Sequence, residues 1–388
     1  MESLHIAADG SSWGGEERGV AVAARRLWTA FLDQSPSVRA TVFVPADFRA
    51  EMRNVAVVAV PRFGGAGRFI WQQLALPWLA RRHRVDVLVC PCYTAPVVYS
   101  GKLVLFVHDL IAWTHPRLAG WRNASHLQLT VGTALRKAAA ICVPTQVVKD
   151  SIIRRFGAPP DKLFVTPWGV DAGIVQMPRQ VAEEHIRLRF GIEMPFAFFC
   201  GCVEPKKNLA FAVRAAAAAG ILLLAAGPLV AGSQRQMPPG AAAESFRHLG
   251  HVSERDLSAL YSAAVALLVP SLAEGFGIPA LEAMRCGTPV IASDIPALRE
   301  VCGGSALLLP LHDPSLWADA LRRIIQDSSL HCDLAARGLT RAAPFTWTAA
   351  VARFREAVEY AVCRTPEINL QRRTFHANGT DARYLQPK

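Results

Sequence analysis

Short, almost wholly apolar runs alternate along the chain with longer stretches whose apolar residues recur every three or four positions. Such alternation predicts parallel strands buried on both faces and joined by helices. In the first half, strands are expected over 4–8, 41–44, 55–60, 85–90, 103–107 and 140–143, with 162–165 as the last. A loop over 9–19 precedes a helix over 20–32. A polar region over 171–195 follows, with a charged helix near 183–190. A second series then begins: strands over 196–200, 221–226, 265–269 and 290–292, and helices over 208–219, 254–264, 279–286, 316–326 and 347–362. Gly287 is available as a C-cap. The stretch over 364–388 lacks periodicity and reads as a mobile tail.

Length and composition fit this picture. At 388 residues, two domains are the natural expectation, and 52% hydrophobic against 19% charged residues suits two packed cores rather than disorder. The net charge of +11 favours an acidic partner without choosing one. The basic residues are dispersed and no recognition motif appears, so nucleic acid is a poor explanation. Nine cysteines, none in Cys-x-x-Cys spacing, read as buried free thiols of a reducing cytosol. No basic and apolar leader opens the chain. The apolar stretch over 215–232 contains Gly220, Gly227 and Pro228, so a helix, a turn and a strand explain it better than a membrane span.

The richest chemistry lies in 271–301. After an expected strand come Glu274, Gly275, Phe276, Gly277, Ile278 and Pro279. Ligands of open α/β sheets sit beyond the carboxyl ends of strands. Glycines let the backbone approach a ligand closely, proline suits a first helical turn, and the helix N-terminus offers free N–H groups to a phosphate. Glu274 in the loop and Glu282 one turn inside the helix could accept hydrogen bonds from different hydroxyls of one ligand. Lys206 and Lys207 stand where a strand gives way to a helix. Two cations there oppose the helix dipole, which argues for a bound anion.

Glu-Gly-Phe-Gly-Ile-Pro-Ala-Leu-Glu, followed by Ala-Met-Arg-Cys-Gly-Thr-Pro-Val-Ile-Ala-Ser, resembles the signature of family-4 retaining glycosyltransferases. The resemblance implies an α/β GT-B fold: two Rossmann-like doubly wound domains facing across a cleft. It implies an acceptor domain over 1–172, a linker over 173–194, a nucleotide-sugar donor domain over 195–346 and a helix over 347–363 crossing back to the first domain. It implies that Glu274 contacts the donor sugar and that Glu282 binds the ribose. The backbone of Phe276, Gly277 and Ile278 would approach the sugar and diphosphate. Lys207, with Lys206, would meet the diphosphate, Val252 would hold the base through its main chain, and His108 would lie beside the transferred sugar. Gly14 and Gly15 would let the first loop approach the diphosphate or acceptor. The chain departs from the family at Cys202 and Lys206, where relatives carry Arg, and at Trp168, where they carry Asn.

No metal site and no cofactor are expected, because Asp-x-Asp, the phosphate loop and the nicotinamide fingerprint are all absent from the sequence. The implied reaction is transfer of a hexose with retention, from a nucleoside diphosphate sugar to a hydroxyl acceptor, lipid-linked or an oligosaccharide. Val-His-Asp-Leu together with Glu-Pro-Lys-Lys-Asn most resembles bacterial mannosyltransferases of polysaccharide assembly, which favours GDP-mannose. The alternatives are a sugar-nucleotide epimerase of the same fold and a silent donor-binding scaffold. The segment 68–84 mixes Phe69, Trp71 and Trp78 with clustered arginines. It reads first as a helix packed on the sheet, with Pro77 breaking or bending it. The other reading is peripheral contact with an anionic membrane, at the inner face of the cytoplasmic membrane.

Overall fold

The computed structural model describes residues 4–13, 19–48, 55–61, 65–193, 195–229 and 245–363. The glycines at 14 and 15 and the stretch over 364–388 lie outside them. Seven parallel strands form the first sheet: β1 (His5–Asp9), β2 (Arg39–Pro45), β3 (Val55–Val60), β4 (Val87–Cys90), β5 (Lys102–Phe106), β6 (Ala140–Val143) and β7 (Leu163–Val165). Their spatial order is β3-β2-β1-β4-β5-β6-β7. The second sheet takes β8 (Phe196–Cys200), β9 (Leu222–Ala226), β10 (Phe246–Gly250), β11 (Leu267–Val269), β12 (Val290–Ser293) and β13 (Leu307–Leu309), in the order β10-β9-β8-β11-β12-β13. Both are doubly wound, so each has a crevice where the strand order reverses: between β1 and β4, and between β8 and β11.

Central strands such as β4 and β6 are buried along their whole length, which is why they read as continuous apolar runs. The helix Arg179–Phe190 starts earlier than its charged run suggests. It is docked on the second domain through His185, whose Nε2 lies 2.7 Å from Asp256 Oδ1. The last helix, Trp347–Cys363, lies against the first sheet. Phe354 meets Phe31 edge-on at 5.1 Å, and Arg355 donates to the carbonyl of Gln34 at 3.0 Å. One apolar cluster thereby runs from Trp28 and Phe31 through Trp168 to Phe276 and Met284.

Two expectations need correction. The segment around Pro77 packs one face against the sheet as expected, but Pro77 does not break it. Gly65–Ile70 leads into a wider π-helical turn, Trp71–Ala75, and then Leu76–Arg82, so the turn ahead of Pro77 absorbs the ring and the missing donor. Trp71 and Leu76 are buried, but Phe69, Ile70, Leu74 and Trp78 face solvent. Among the described residues no cysteine is in a disulfide, yet only Cys90, Cys142, Cys286 and Cys302 are buried, while Cys332 and Cys363 are exposed. Among the described residues, no helix is long and apolar enough to cross a membrane.

Candidate functional site

The crevice between β8 and β11 gathers the charged candidates. Beyond β8 the chain passes Gly201 (φ +138°) and makes a single tight turn, Pro205–Lys207. Asn208 (φ +55°) then starts the helix Leu209–Ala219. A short polar side chain tolerates this left-handed conformation better than most. Beyond β11 the loop runs to Gly277 (φ +105°), which caps the helix Ile278–Arg285 with Pro279 in its first turn. That φ favours glycine, and a Cβ there would press on Leu298 at 2.6 Å. Cys286 caps the helix end and Gly287 (φ +70°) follows it.

Here Lys207 Nζ lies 2.5 Å from Glu274 Oε1, and the hydroxyl of Ser271 donates to the same oxygen at 2.7 Å. The amide of Leu272 donates to the carbonyl of Lys206 at 2.7 Å, stitching the two loops together. Lys206 Nζ is 3.3 Å from Glu204 Oε1. Burial would raise the Glu274 carboxyl, but the ammonium groups of Lys207 and Lys206 outweigh it and hold the carboxyl below its usual range. Burial likewise works against the charge on Lys206, and Glu274, Glu204 and Asp109 overcome it, so its pKa is raised. The pocket therefore favours charged forms that desolvation alone would suppress. Glu282 differs. Its Oε2 accepts from the hydroxyl of Tyr261 at 2.8 Å, and burial pushes its carboxyl up. Val252 stands in the turn after β10, next to the capping box at Ser253 that opens the helix Glu254–Ala263. Glu254 of that helix pairs with Arg26 of the first domain at 2.8 Å.

Across the cleft, His108 follows β5 and is buried. Its Nε2 is 2.6 Å from the carbonyl of Pro91. A carbonyl only accepts, so Nε2 carries the proton. Burial pulls the ring pKa down to about 4, which leaves it neutral near pH 7 with a lone pair on Nδ1. That buried nitrogen has no hydrogen-bond partner among the described residues. Trp168 stacks on the ring at 5.5 Å and Tyr93 meets it edge-on at 5.1 Å. The loop of Glu274 sits directly on this group: a Cβ on Gly275 would lie 1.8 Å from the carbonyl oxygen of His108. Thr145 Oγ1 donates to the carbonyl of Gly275 at 3.1 Å.

The structure thus brings His108, Lys206, Lys207, Glu274, Phe276, Gly277 and Ile278 together. Glu282 lies inside the helix Ile278–Arg285 that starts at this crevice, whereas Val252 follows β10, the edge strand two places from β8. Several neighbours carried no assigned role in the sequence. Tyr93 has a left-handed backbone (φ +58°) and donates to Asp109 Oδ2 at 2.7 Å. Nothing in its local sequence signals this. Tyr261 and Ser271, which orient the two glutamates, could have been found only from the tertiary fold. Among the described residues, no three His, Cys, Asp or Glu side chains group to hold a metal ion.

Two family models match the chain. "Glycosyltransferase Family 4" matches residues 17–173, and "Glycosyl transferases group 1" matches residues 195–327. The chain is 28% identical to the O-antigen chain mannosyltransferase B of Escherichia coli over 284 residues, covering 70% of this chain and 73% of that one. It is 32% identical over 319 residues to the D-inositol 3-phosphate glycosyltransferase of Salinispora arenicola, covering 75% and 67%. The alignment to a Nocardioides D-inositol 3-phosphate glycosyltransferase spans only 49% of that protein. Among solved structures, HepE of Anabaena in complex with UDP superposes with a TM-score of 0.71 at 19% identity, covering 92% and 99% of the chains. Sucrose-phosphate synthase of Thermosynechococcus elongatus gives 0.75 at 19%, covering 92% and 98%. With two parallel doubly wound sheets and matches in both halves, the chain belongs to the group 1, family 4 glycosyltransferases and has the GT-B fold.

Proposed function

We propose that the protein transfers a hexose from a nucleoside diphosphate sugar to a hydroxyl acceptor, with retention and without a metal ion. The observation that carries this reading is the part-buried Lys207–Glu274 pair at the β8/β11 crevice, set opposite His108. As the bond from the anomeric carbon to the diphosphate oxygen breaks, negative charge grows on the diphosphate. Lys206, Lys207 and the N-terminus of the helix Ile278–Arg285 would stabilise it. The acceptor oxygen then bonds to the anomeric carbon on the face just vacated, and its proton passes to the departing diphosphate. Glu274 would orient the sugar, and the lone pair on His108 Nδ1 would accept from a sugar hydroxyl. Glu282, held by Tyr261, would take the ribose.

Mannose from GDP-mannose is the first choice. The likeness to an O-antigen chain mannosyltransferase and the Val-His-Asp-Leu and Glu-Pro-Lys-Lys-Asn segments support it. A thermal-shift screen of GDP-mannose, UDP-glucose and their diphosphates tests the donor. Ligand at 100 times its Kd adds about 2.7 kcal/mol of stability. Transfer should survive EDTA. Abolition with rescue by magnesium or manganese overturns the metal-independent reading, and no shift with any nucleotide sugar overturns the donor site.

The acceptor is proposed to be presented at an anionic bilayer. Phe69, Leu74 and Trp78 on one helix and Trp121 and Leu129 on another are exposed, with Leu129 at 81%. Phe69 meets His126 edge-on at 5.5 Å, which joins the two helices into one face. The sequence has no Asp or Glu between Glu51 and Asp86, nor between Asp109 and Asp150. Apolar side chains amid unopposed arginines suit insertion at an anionic headgroup layer. The protein should sediment with phosphatidylglycerol-containing vesicles, lose that on Leu74→Ser with Trp78→Ser, and ignore pure phosphatidylcholine. Equal binding to both vesicles, or self-association through this face instead, overturns the bilayer assignment.

A further inference from the structure

The helix Gln146–Phe156 of the first domain has no acidic residue in its first turn. Its first amides are met from the other domain. Glu300, on the helix Pro296–Cys302, accepts from the Gln146 amide through Oε1 at 2.6 Å and from the Val147 amide through Oε2 at 2.9 Å. Both carboxylate oxygens are used, and the negative charge complements the positive end of the helix. Glu300 is itself held in place. Arg341 donates to the carbonyls of Glu300 at 2.6 Å and Val301 at 2.8 Å. The residue just before the capped amides is Thr145, whose hydroxyl donates to Gly275 and accepts from the Val148 amide at 3.3 Å. Three hydrogen bonds across the cleft therefore converge on one turn, and the one from Thr145 ends on the loop that carries Glu274.

We infer that Glu300 is a positioning residue that latches the two domains at residues 145–147 and so seats the loop of Glu274 and Gly275 against His108. Its effect on transfer rests on the proposed function, but the latch itself does not. Glu300 stands on the helix Pro296–Cys302, outside the loops that carry the lysines and Glu274. Its work is to fix which Gly275 carbonyl position Thr145 can reach.

The latch can be broken from either side. Glu300→Gln keeps the shape and weakens the cap; Glu300→Ala removes it. Gln146→Pro removes one donor from the opposite side. Proline is favoured at the first helical position, and Thr145 already has the extended backbone (φ −141°, ψ 158°) that a residue before proline adopts. Amide hydrogen exchange at Val147 and at 275–276 should speed up at least about tenfold in Glu300→Ala, with Glu300→Gln between it and wild type. Small-angle scattering should show a larger radius for Glu300→Ala and Gln146→Pro, and the double variant should add little to either. If transfer is measurable, turnover should drop on the order of tenfold while binding of the free nucleoside diphosphate holds. Unchanged exchange and radius in both single variants overturn the latch, whatever the activity. Altered exchange in a protein that transfers no sugar upholds the latch and counts against the proposed function alone.

Discussion

The two walls of the cleft solve opposite electrostatic problems. The β8/β11 wall concentrates charge: Lys206, Lys207, Glu204 and Glu274 sit together, and their mutual attraction keeps Glu274 and Lys206 ionised against burial. At the end of β5 it is the His108 ring whose charge is suppressed: Trp168, Tyr93 and Phe106 wall it in, and burial keeps it neutral. A polyanion can be held by the first wall, whereas a neutral, hydroxyl-rich group suits the second. A sugar joined to a diphosphate has one end of each kind.

The largest effect should come from forcing the walls apart. Gly275→Ala places a methyl group 1.8 Å from the His108 carbonyl, where only backbone movement makes room. Misplacement on the order of 1 Å can cost about a hundredfold in turnover, with each domain still folded. Steady-state kinetics beside circular dichroism checks this; near-normal turnover would mean that the walls need not touch.

Lys207→Ala attacks the charged wall alone. A charge-assisted hydrogen bond is worth about 1.5–3 kcal/mol, so diphosphates should bind roughly tenfold to a hundredfold more weakly while free nucleosides are spared. Calorimetry with both ligand types decides, and equal losses remove the diphosphate from this wall.

Smaller and divergent effects are expected for the two carboxylates. Glu274→Gln should lower turnover more than donor affinity, because the proposed reaction puts its charge beside the breaking bond. Glu282→Gln should weaken donor binding by about tenfold or less, since Tyr261 still orients the side chain. Variants that behave like wild type in both measurements place the reacting sugar elsewhere.

The mildest test is silent at neutral pH. The native His108 ring titrates near 4, whereas the unfolded chain takes up that proton near the ordinary 6.5. Stability from this group is complete above about pH 6.5 and drains away as pH falls toward 4. Denaturant titrations at several pH values should show that slope, and His108→Gln should flatten it. An unchanged slope would mean that the ring is not held neutral.

The same contrast explains what could be read from the sequence. The charged wall is written in short contiguous pieces, Glu274 to Pro279 and Lys206 to Lys207, whose glycines and proline encode loop and helix start locally. The neutral wall is assembled from Tyr93, His108 and Trp168, which meet only after folding. At His108 only the family resemblance tipped the reading toward the site. Trp168 stood out as a departure from the family, but its stacking on His108 is a tertiary fact. Buried strands were legible as apolar runs. The helix Trp121–Lys137 was not, because it leaves Trp121 and Leu129 in solvent and so blurs its own pattern. The half-exposed strands β10 and β13 escaped for the same reason. Glu300 looks in sequence like one more helix-surface carboxylate, and its partners lie more than 150 positions away.

The return of the last helix to the first sheet also sets an order of events during synthesis. β7 ends at Val165, but the helix that covers β4 to β7 begins at Trp347. At ribosomal rates of about 5–20 residues per second, the first sheet waits roughly ten to forty seconds for its cover. The second domain can complete its own sheet within that interval. The half of the protein made first is therefore the half finished last, and its uncovered apolar face is what a chaperone would meet on the nascent chain.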